Sequence, residues 1–214
     1  DLAKSIKTYL MELFSDNLDI EGVDNINACY GGVSALLNSL NWLKLNDDRY
    51  AIVVAADLAI MDDKDTQFQG GGACAILLGK DAKITFNDKK ISCMKNTYDF
   101  TKPIKSKNLS PCFNGLESMV NYHTSFKFCL NELKKKYSIS FKNFDYIIIH
   151  GGLCKVFVVN TFKEIAKWEG IEYDILEKKF INSTLHGEKI GSLYTASLFF
   201  SLHSLLENEK DLIN

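Results

Sequence analysis

Cys29 and His150 are the residues whose types and neighbours most favour chemistry. Cys29 lies between a predicted strand over 22–28 and a predicted helix, and two glycines follow one residue later. A thiol at a helix N-terminus meets unpaired backbone N–H groups and the positive end of the helix dipole, which favour the nucleophilic thiolate. The alternative is that Cys29 is a small buried apolar residue. Its position favours a nucleophile.

His150 comes directly after the apolar run 144–149 (FDYIII) and before two glycines. Side chains at the carboxyl ends of strands are where α/β folds hold their reactive groups. A histidine that caps a strand by hydrogen bonding to the backbone is the alternative. Asp57 ends the run 50–56 (YAIVVAA) and is a further site candidate, with a loop cap as its alternative.

The other histidines and the glycine cluster do not predict a site. His123 and His203 are predicted to be structural or exposed within helices, and His186, beside Gly187, is predicted to lie in a loop. No His, Cys, Asp or Glu cluster has metal-ligand spacing along the chain, so no metal is expected. Glycines 70–72 lack a P-loop lysine and a dinucleotide fingerprint, which leaves a tight turn or a close backbone crossing.

Strands and helices alternate along the chain, which predicts α/β layers. The order strand, reactive residue, glycines and helix occurs twice, around Cys29 and around His150. The run 50–56 is continuously apolar, as in strands buried on both faces of a sheet. The predicted helices cover 4–15, 32–43, 115–136, 154–168 and 192–207; the predicted strands cover 22–28, 50–56, 73–78 and 144–149, and 82–99 is extended.

Composition excludes several classes of protein. The 214 residues are 46% hydrophobic and 24% charged, as in globular proteins with a core. A net charge of -2 gives no reason to expect nucleic acid as a partner. The apolar runs are too short to span a bilayer. The six cysteines have no zinc or redox spacing, so a cytoplasmic protein is expected.

Five strings, in order, resemble the hydroxymethylglutaryl-CoA (HMG-CoA) synthase family. The matches run from near residue 8 to near residue 206 and so cover almost the whole chain. The strings are N-A-C-Y-G-G at 27–32, N-W at 41–42 with R-Y-A-I-V-V-A-A-D at 49–57, Y-D-F-T-K-P at 98–103, H with C-K at 150–155, and I-G-S-L-Y-T at 190–195.

The resemblance implies an incomplete thiolase-like αβαβα fold and a homodimer. Residues 1–214 would form a partial domain, with the nucleophile in about 1–136 and the histidine in about 137–214. It also implies an acyltransferase of isoprenoid (mevalonate) precursor synthesis that condenses acetyl-CoA with acetoacetyl-CoA. The CoA thioesters are substrates, and no cofactor is implied.

The resemblance also assigns roles to individual residues. Cys29 would accept the acetyl group, which divides one hard condensation into easier steps. His150 would hold and polarise the acetoacetyl group. Lys155 would bind near the CoA phosphates. Tyr30, Asp57 and Ser192 complete the predicted set of substrate-binding residues.

The chain departs from the family pattern at several points. Ser192 replaces the family asparagine, and Val159 replaces a second lysine. The family's general acid/base glutamate lies upstream of residue 1, so no residue here is assigned its role. The stretch from His150 to Ser192 is shorter than in the family.

Three interpretations follow from these features. The first is a fragment of an authentic synthase. The second is a degenerate, non-catalytic thiolase-fold remnant that binds an acyl-CoA or a partner chain. The third is an enzyme like ketoacyl synthase III, which shares the fold and also uses a cysteine and a histidine in its active site. The string around its nucleophile does not usually read N-A-C-Y-G-G.

Overall fold

The computed structural model describes residues 3–61, 63–104, 110–151 and 155–212. Its α-helices are α1 (Gly31–Leu43), α2 (Gly115–Tyr137), α3 (Lys155–Glu169), α4 (Tyr173–Ile190) and α5 (Ser197–Asn208). Its strands are β1 (Ala51–Ala59), β2 (Gly70–Leu78), β3 (Phe100–Thr101) and β4 (Cys112–Phe113). Short 3-10 helices cover Ile6–Phe14, Ala28–Tyr30, Asp63–Phe68, Phe141–Asn143, Tyr194–Ala196 and Lys210–Leu212.

Strands β1 and β2 form an antiparallel ribbon in which Ala51 pairs with Leu78 and Ala59 pairs with Gly70. Along β1 the side chains alternate between buried and exposed, as expected for a strand with one covered face. The prediction that 50–56 is buried on both faces is therefore wrong for the described part of the chain, where α1 and α5 cover one face only.

Two hydrophobic clusters hold the helices together. One lies beneath the ribbon and joins α1, β1 and β2 to the 193–199 segment. The other is aromatic and centres on Phe162, which is fully buried. The Phe162 ring centroid lies 4.5 Å from that of Phe180, 5.5 Å from that of Phe126 and 5.7 Å from that of Phe141. This cluster packs α2, α3 and α4 against one another.

Two predicted strands are not strands in the structure. In segment 22–28, the Asp24 carboxylate accepts the backbone N–H groups of Ile6 and Lys7 at 2.7 and 3.1 Å. In segment 144–149, Ile147 donates its N–H to the Lys179 carbonyl at 2.8 Å. In 144–149 this backbone group is satisfied by α4 and not by a neighbouring strand, and neither segment joins a ladder among the described residues.

Three further predictions about the elements are corrected. Segment 4–15 forms a 3-10 helix, Ile6–Phe14, where an ordinary helix was predicted. His186 lies in α4, a helix that the sequence did not predict, and not in a loop. Glycines 70–72 lie in β2, where a side chain at Gly70 would come within 2.6 Å of the Ile190 and Ser192 carbonyl oxygens. The close backbone crossing is confirmed and the tight turn is wrong.

The predicted helices over 32–43 and 115–136 are confirmed by α1 and α2. The helix predicted over 154–168 is confirmed from Lys155 onward by α3, and its expected start at Cys154 lies outside the described residues. None of the helices in the described ranges has the length and apolar character that crossing a membrane requires.

Candidate active site

Cys29 lies in a tight turn that leads directly into α1. The 3-10 helix Ala28–Tyr30 ends where α1 begins, and Ala28 has a φ of 30°. A non-glycine residue at such a φ is strained by roughly 1–3 kcal/mol and persists only where the surroundings fix it. The Asn27 carbonyl does so by accepting the N–H groups of Tyr30 and Gly31, both at 2.8 Å.

The two glycines after this turn allow α1 to approach the start of α5 closely. A Cβ atom at Gly32 would lie 2.5 Å from the Thr195 carbonyl oxygen and 2.7 Å from the Phe199 ring. A Cβ atom at Gly31 would lie 3.0 Å from the Thr195 hydroxyl. The absence of side chains at both positions therefore lets the Cys29 turn lie against the 194–196 turn.

Tyr194 lies in the second turn, which resembles the first. Its φ is 40°, and the 3-10 helix Tyr194–Ala196 leads directly into α5. The Ser197 hydroxyl accepts the Leu193 N–H at 2.9 Å and so stabilises the turn. The Tyr194 ring lies edge-on to Phe100, with 6.3 Å between the ring centroids. Two strained turns, each opening a helix, therefore meet at the Cys29 thiol.

The surroundings of Cys29 are mainly apolar. Buried Ala59, Met61 and Tyr194 form the cluster against which Cys29 and Phe68 pack. The Tyr194 hydroxyl lies 3.9 Å from the Met61 sulfur.

Burial raises the pKa of Cys29 to about 11, with a further contribution from the negative charge of Asp57. A hydrogen bond from the backbone N–H of Cys29 opposes this shift only in part. The expectation that the helix start would favour the thiolate is therefore not met, because desolvation outweighs the backbone donor. Burial, with the charges of Cys29 and Asp57, also raises the pKa of Tyr194 to about 12.

His150 directly follows Ile149, a buried residue of the Phe162 cluster. Its Nδ1 atom is buried and has no hydrogen-bond partner among the described residues. Burial lowers the pKa of His150, so its ring is neutral near pH 7. The preceding residue is fixed in place, because the Ser201 hydroxyl donates to the Ile149 carbonyl at 2.9 Å. No hydrogen bond joins His150 to Cys29 in the part of the chain that the structure describes.

The predicted substrate-binding residues occupy different positions. Lys155, at the start of α3, forms an ion pair of 2.5 Å with Glu188 of α4. Ser192 is buried, and its hydroxyl accepts the Tyr194 N–H at 3.4 Å. Tyr30 is half-exposed beside Cys29. The structure thus brings Asp57 and Tyr194 close to Cys29 and places Ser192 beside Tyr194, whereas Lys155 is paired with Glu188.

Tyr194 was not among the predicted site residues. The available signal was its place in the I-G-S-L-Y-T string, from which only Ser192 was predicted to bind substrate. A cavity of about 700 Å³ between α2 and α3 contains none of the predicted site residues in its lining, and it includes His123. We therefore base the candidate active site on the Cys29 turn and not on that cavity.

Comparisons with known proteins point to one family. A family model described as the N terminal of hydroxymethylglutaryl-coenzyme A synthase matches residues 1–83. The hydroxymethylglutaryl-CoA synthase of Saccharomyces cerevisiae is 35% identical over 96% of this chain and 52% of its own length. The mitochondrial hydroxymethylglutaryl-CoA synthase of Homo sapiens is 30% identical over 97% of this chain and 51% of its own length.

A crystal structure of an HMG-CoA synthase complexed with CoA superposes with a TM-score of 0.86 at 27% identity, over 97% of this chain and 54% of that one. The chain belongs to the hydroxymethylglutaryl-CoA synthase family. Its fold is therefore thiolase-like, as predicted. The structure of MvaS in complex with 3-hydroxy-3-methylglutaryl coenzyme A, at 19% identity and a TM-score of 0.85, supports the same fold.

The chain spans about half the length of the HMG-CoA synthases that it matches. The alignment with the yeast synthase also extends over 260 positions, more than the 214 residues of this chain. The yeast synthase therefore carries residues within the matched region that have no counterpart here. The prediction that the stretch from His150 to Ser192 is shortened is compatible with this difference.

Proposed function

We propose that this chain is the nucleophile-bearing part of an HMG-CoA synthase and that Cys29 accepts the acetyl group. The observation that carries the proposal is the position of Cys29. Its thiol lies in a strained turn at the start of α1 and packs against an apolar cluster that contains Tyr194. Membership of the family supplies the chemistry that such a thiol would perform.

In the first step the Cys29 sulfur attacks the acetyl-CoA carbonyl, a C–S bond forms, and CoA leaves as a thiolate that takes up the proton from Cys29. With a pKa of about 11, only roughly one Cys29 thiol in ten thousand is ionised at pH 7. The proton therefore has to leave the sulfur as the substrate arrives. Asp57 is the charged group whose negative charge acts on the pKa of Cys29, and we assign it as the candidate acceptor of this proton.

In the second step the acetyl group on Cys29 loses a proton from its methyl carbon, and this carbon attacks the ketone carbon of acetoacetyl-CoA. A C–C bond forms, and the ketone oxygen takes up a proton to become the 3-hydroxyl group. We assign no residue of 1–214 as the base for this proton. The neutral ring of His150 can donate one hydrogen bond to the ketone oxygen, on which negative charge develops. Water then hydrolyses the thioester to Cys29 and releases 3-hydroxy-3-methylglutaryl-CoA, an isoprenoid (mevalonate) precursor.

The remaining parts of the proposal concern partners and location. Lys155 would exchange its ion pair with Glu188 for CoA phosphates, which suits its 41% exposed side chain. The protein would act as a homodimer, because one face of the β1–β2 ribbon is apolar and exposed. A cytoplasmic location is supported by cysteines that are all free thiols among the described residues. No cofactor is required.

Acylation tests the proposal directly. The purified protein is incubated with acetyl-CoA, digested, and analysed by mass spectrometry. An acetyl group is expected on the peptide that contains Cys29, and it should be lost in Cys29→Ser but kept in the matched variant Cys74→Ser. An acetyl group on Cys74, Cys93 or Cys129 with none on Cys29 would contradict the assignment.

The second candidate is a non-catalytic member of the family that binds acyl-CoA. The raised pKa of Cys29 favours it, as does the engagement of the Ser192 hydroxyl by the Tyr194 backbone. In that case CoA would bind with measurable affinity in calorimetry, while neither acetylation of Cys29 nor release of free CoA would occur.

A further inference from the structure

Three side chains with metal-binding atoms meet on the surface of the α4–α5 pair, outside the candidate active site. His203 and Glu207 lie one turn apart on α5 and so project from the same face. His186 of α4 lies opposite them. Its Nε2 atom is 3.1 Å from the Nδ1 atom of His203 and 2.9 Å from the Oε2 atom of Glu207.

Hydrogen bonding alone satisfies this cluster poorly. The Nε2 atom of His186 faces two groups, an imidazole nitrogen and a carboxylate oxygen, and carries at most one hydrogen. One N–H can be aligned well with only one of these acceptors. A cation placed among the three atoms would be bound by all of them at once. The arrangement therefore suits a metal ion, which would use the lone pairs of all three side chains.

The distances agree with those around a bound ion. Zinc binds histidine nitrogen and carboxylate oxygen at about 2.0–2.2 Å, so adjacent ligand atoms lie roughly 3.0–3.4 Å apart, depending on geometry. The separations of 3.1 and 2.9 Å among these three side chains are within a few tenths of an ångström of that range. All three ligand atoms lie within 4.8 Å of one another.

We propose that His186, His203 and Glu207 bind one divalent zinc-class ion, with Zn²⁺ preferred. Two imidazoles and one carboxylate suit the borderline ions at this end of the divalent series, and hard ions such as Mg²⁺ prefer oxygen alone. His203 and Glu207 are exposed and His186 is partly buried, so an ion can enter from solvent and keep a water as a further ligand.

The ion would join two helices that flank the candidate active site. Helix α4 ends at Ile190 and α5 begins at Ser197, and the connection between them carries Ser192 and Tyr194. The backbone N–H of His186 also donates to the Ser204 hydroxyl of α5 at 3.4 Å, so a hydrogen bond already joins the two helices at this point. Binding would therefore stabilise the α4–α5 pair and, through it, the connection that lies against Cys29.

Titration of the chelator-treated protein with Zn²⁺ in a calorimeter tests the site. We expect one ion per chain, and a higher unfolding temperature when zinc is in excess, since a ligand bound only by the folded state stabilises it. Losing an outer partner of a metal typically costs about 10- to 100-fold in affinity. His203→Ala and Glu207→Gln should therefore weaken binding by at least about tenfold and remove the temperature shift.

His123→Ala is the matched control, because it also removes one histidine from a helix and should leave zinc binding unchanged. Co²⁺ distinguishes the cluster from the cysteines: binding by His and Glu gives no thiolate-to-cobalt charge-transfer band. Equal affinity in wild type, His203→Ala and Glu207→Gln would overturn the proposal, as would the absence of saturable binding or a strong charge-transfer band. Both substituted α5 residues are exposed, and Glu207→Gln preserves side-chain size, so loss of folding is not expected to explain a loss of binding.

Discussion

The charge of Asp57 is one of the two reasons why the Cys29 thiol resists ionisation, the larger being burial. Asp57→Asn removes the charge and keeps the shape, so the pKa of Cys29 should fall below its present value of about 11. Because only the thiolate reacts, alkylation of Cys29 by iodoacetamide at pH 8 should become severalfold faster in the variant. The measurement is the rate of peptide alkylation between pH 7 and pH 11.

Exposed Cys112 provides the internal control, because its alkylation in the same sample reports reagent activity and should not respond to Asp57→Asn. An unchanged pH profile for Cys29 would show that Asp57 does not influence the thiol. That result would disprove the assignment of Asp57 as the proton acceptor. It would not bear on the acylation of Cys29, which the mass-spectrometric experiment tests separately.

His150 gives the protein an acid-sensitive contribution to stability. Burial lowers its pKa in the folded state below the ordinary 6.5, so the unfolded chain takes up a proton first as the pH falls. This contribution to stability is complete above about pH 6.5 and is lost as the pH falls through the folded-state pKa. Urea unfolding at pH 8 and pH 5.5 should show a smaller loss of stability in His150→Gln than in wild type. His123→Gln serves as the control, and an identical loss in His150→Gln would contradict the argument.

At the scale of elements, the contact between α1 and α5 depends on a missing side chain. Ala is normally preferred over Gly in a helix by about 1 kcal/mol. At Gly32 the added Cβ would lie 2.5 Å from the Thr195 carbonyl oxygen, a backbone atom that cannot move aside cheaply. Gly32→Ala should therefore lower the free energy of unfolding by about 1–3 kcal/mol, the usual cost of overpacking. Chemical denaturation of the wild type and the variant measures this difference in the free energy of unfolding.

Gly187, in α4, is the matched control, because a Cβ built there would meet no atom within 4 Å beyond its chain neighbours and the adjacent backbone of its own helix. Gly187→Ala should raise the free energy of unfolding by up to about 1 kcal/mol. If Gly32→Ala were as stable as wild type, the close approach of the Cys29 turn to α5 would be wrong. Alkylation of Cys29 in Gly32→Ala gives a second measurement, since a displaced turn should expose the thiol.

The elements with a clear local signal could be predicted from the sequence. Helix α1 and ribbon strands β1 and β2 have regular apolar patterns, and all three were found. Segment 144–149 has the composition of a strand, but Lys179 and Ser201 satisfy its backbone groups. Such long-range partners are not encoded in the local pattern, which is why the prediction of a strand at 144–149 failed.

The candidate site was predictable in part for the same reason. Cys29 stood out because its motif is local, and its neighbours along the chain define the turn. Tyr194 reaches Cys29 through the packing of the 194–196 turn against β1 and the Cys29 turn, contacts between residues more than a hundred positions apart, and Asp57 reaches it from β1. The desolvation that raises the pKa of Cys29 arises from tertiary packing. The local sequence instead predicted that the thiolate would be favoured, which corresponds to a lowered pKa.

At the scale of the whole molecule, the β1–β2 ribbon presents an apolar surface to solvent. Ile52 and Leu77 pair directly across the strands and are 47% and 66% exposed. Val54 and Leu58 extend this surface along β1. Contiguous exposed apolar residues on a sheet mark a place where another surface binds. We expect copies of the chain to associate through this face, in agreement with the proposed homodimer.

The double variant Ile52→Lys, Leu77→Glu tests this expectation, because it replaces a facing apolar pair by an opposite-charge pair that strand geometry tolerates. Analytical ultracentrifugation over a range of concentrations should show dimers of the wild type and an association at least about tenfold weaker in the variant, a loss of about 1.4 kcal/mol. Leu45→Lys is the matched control, since Leu45 is equally apolar and 89% exposed but lies outside the ribbon. Equal association of the double variant and the wild type would place the contact between copies elsewhere. Weakened association in Leu45→Lys alone would move it to the loop that follows α1.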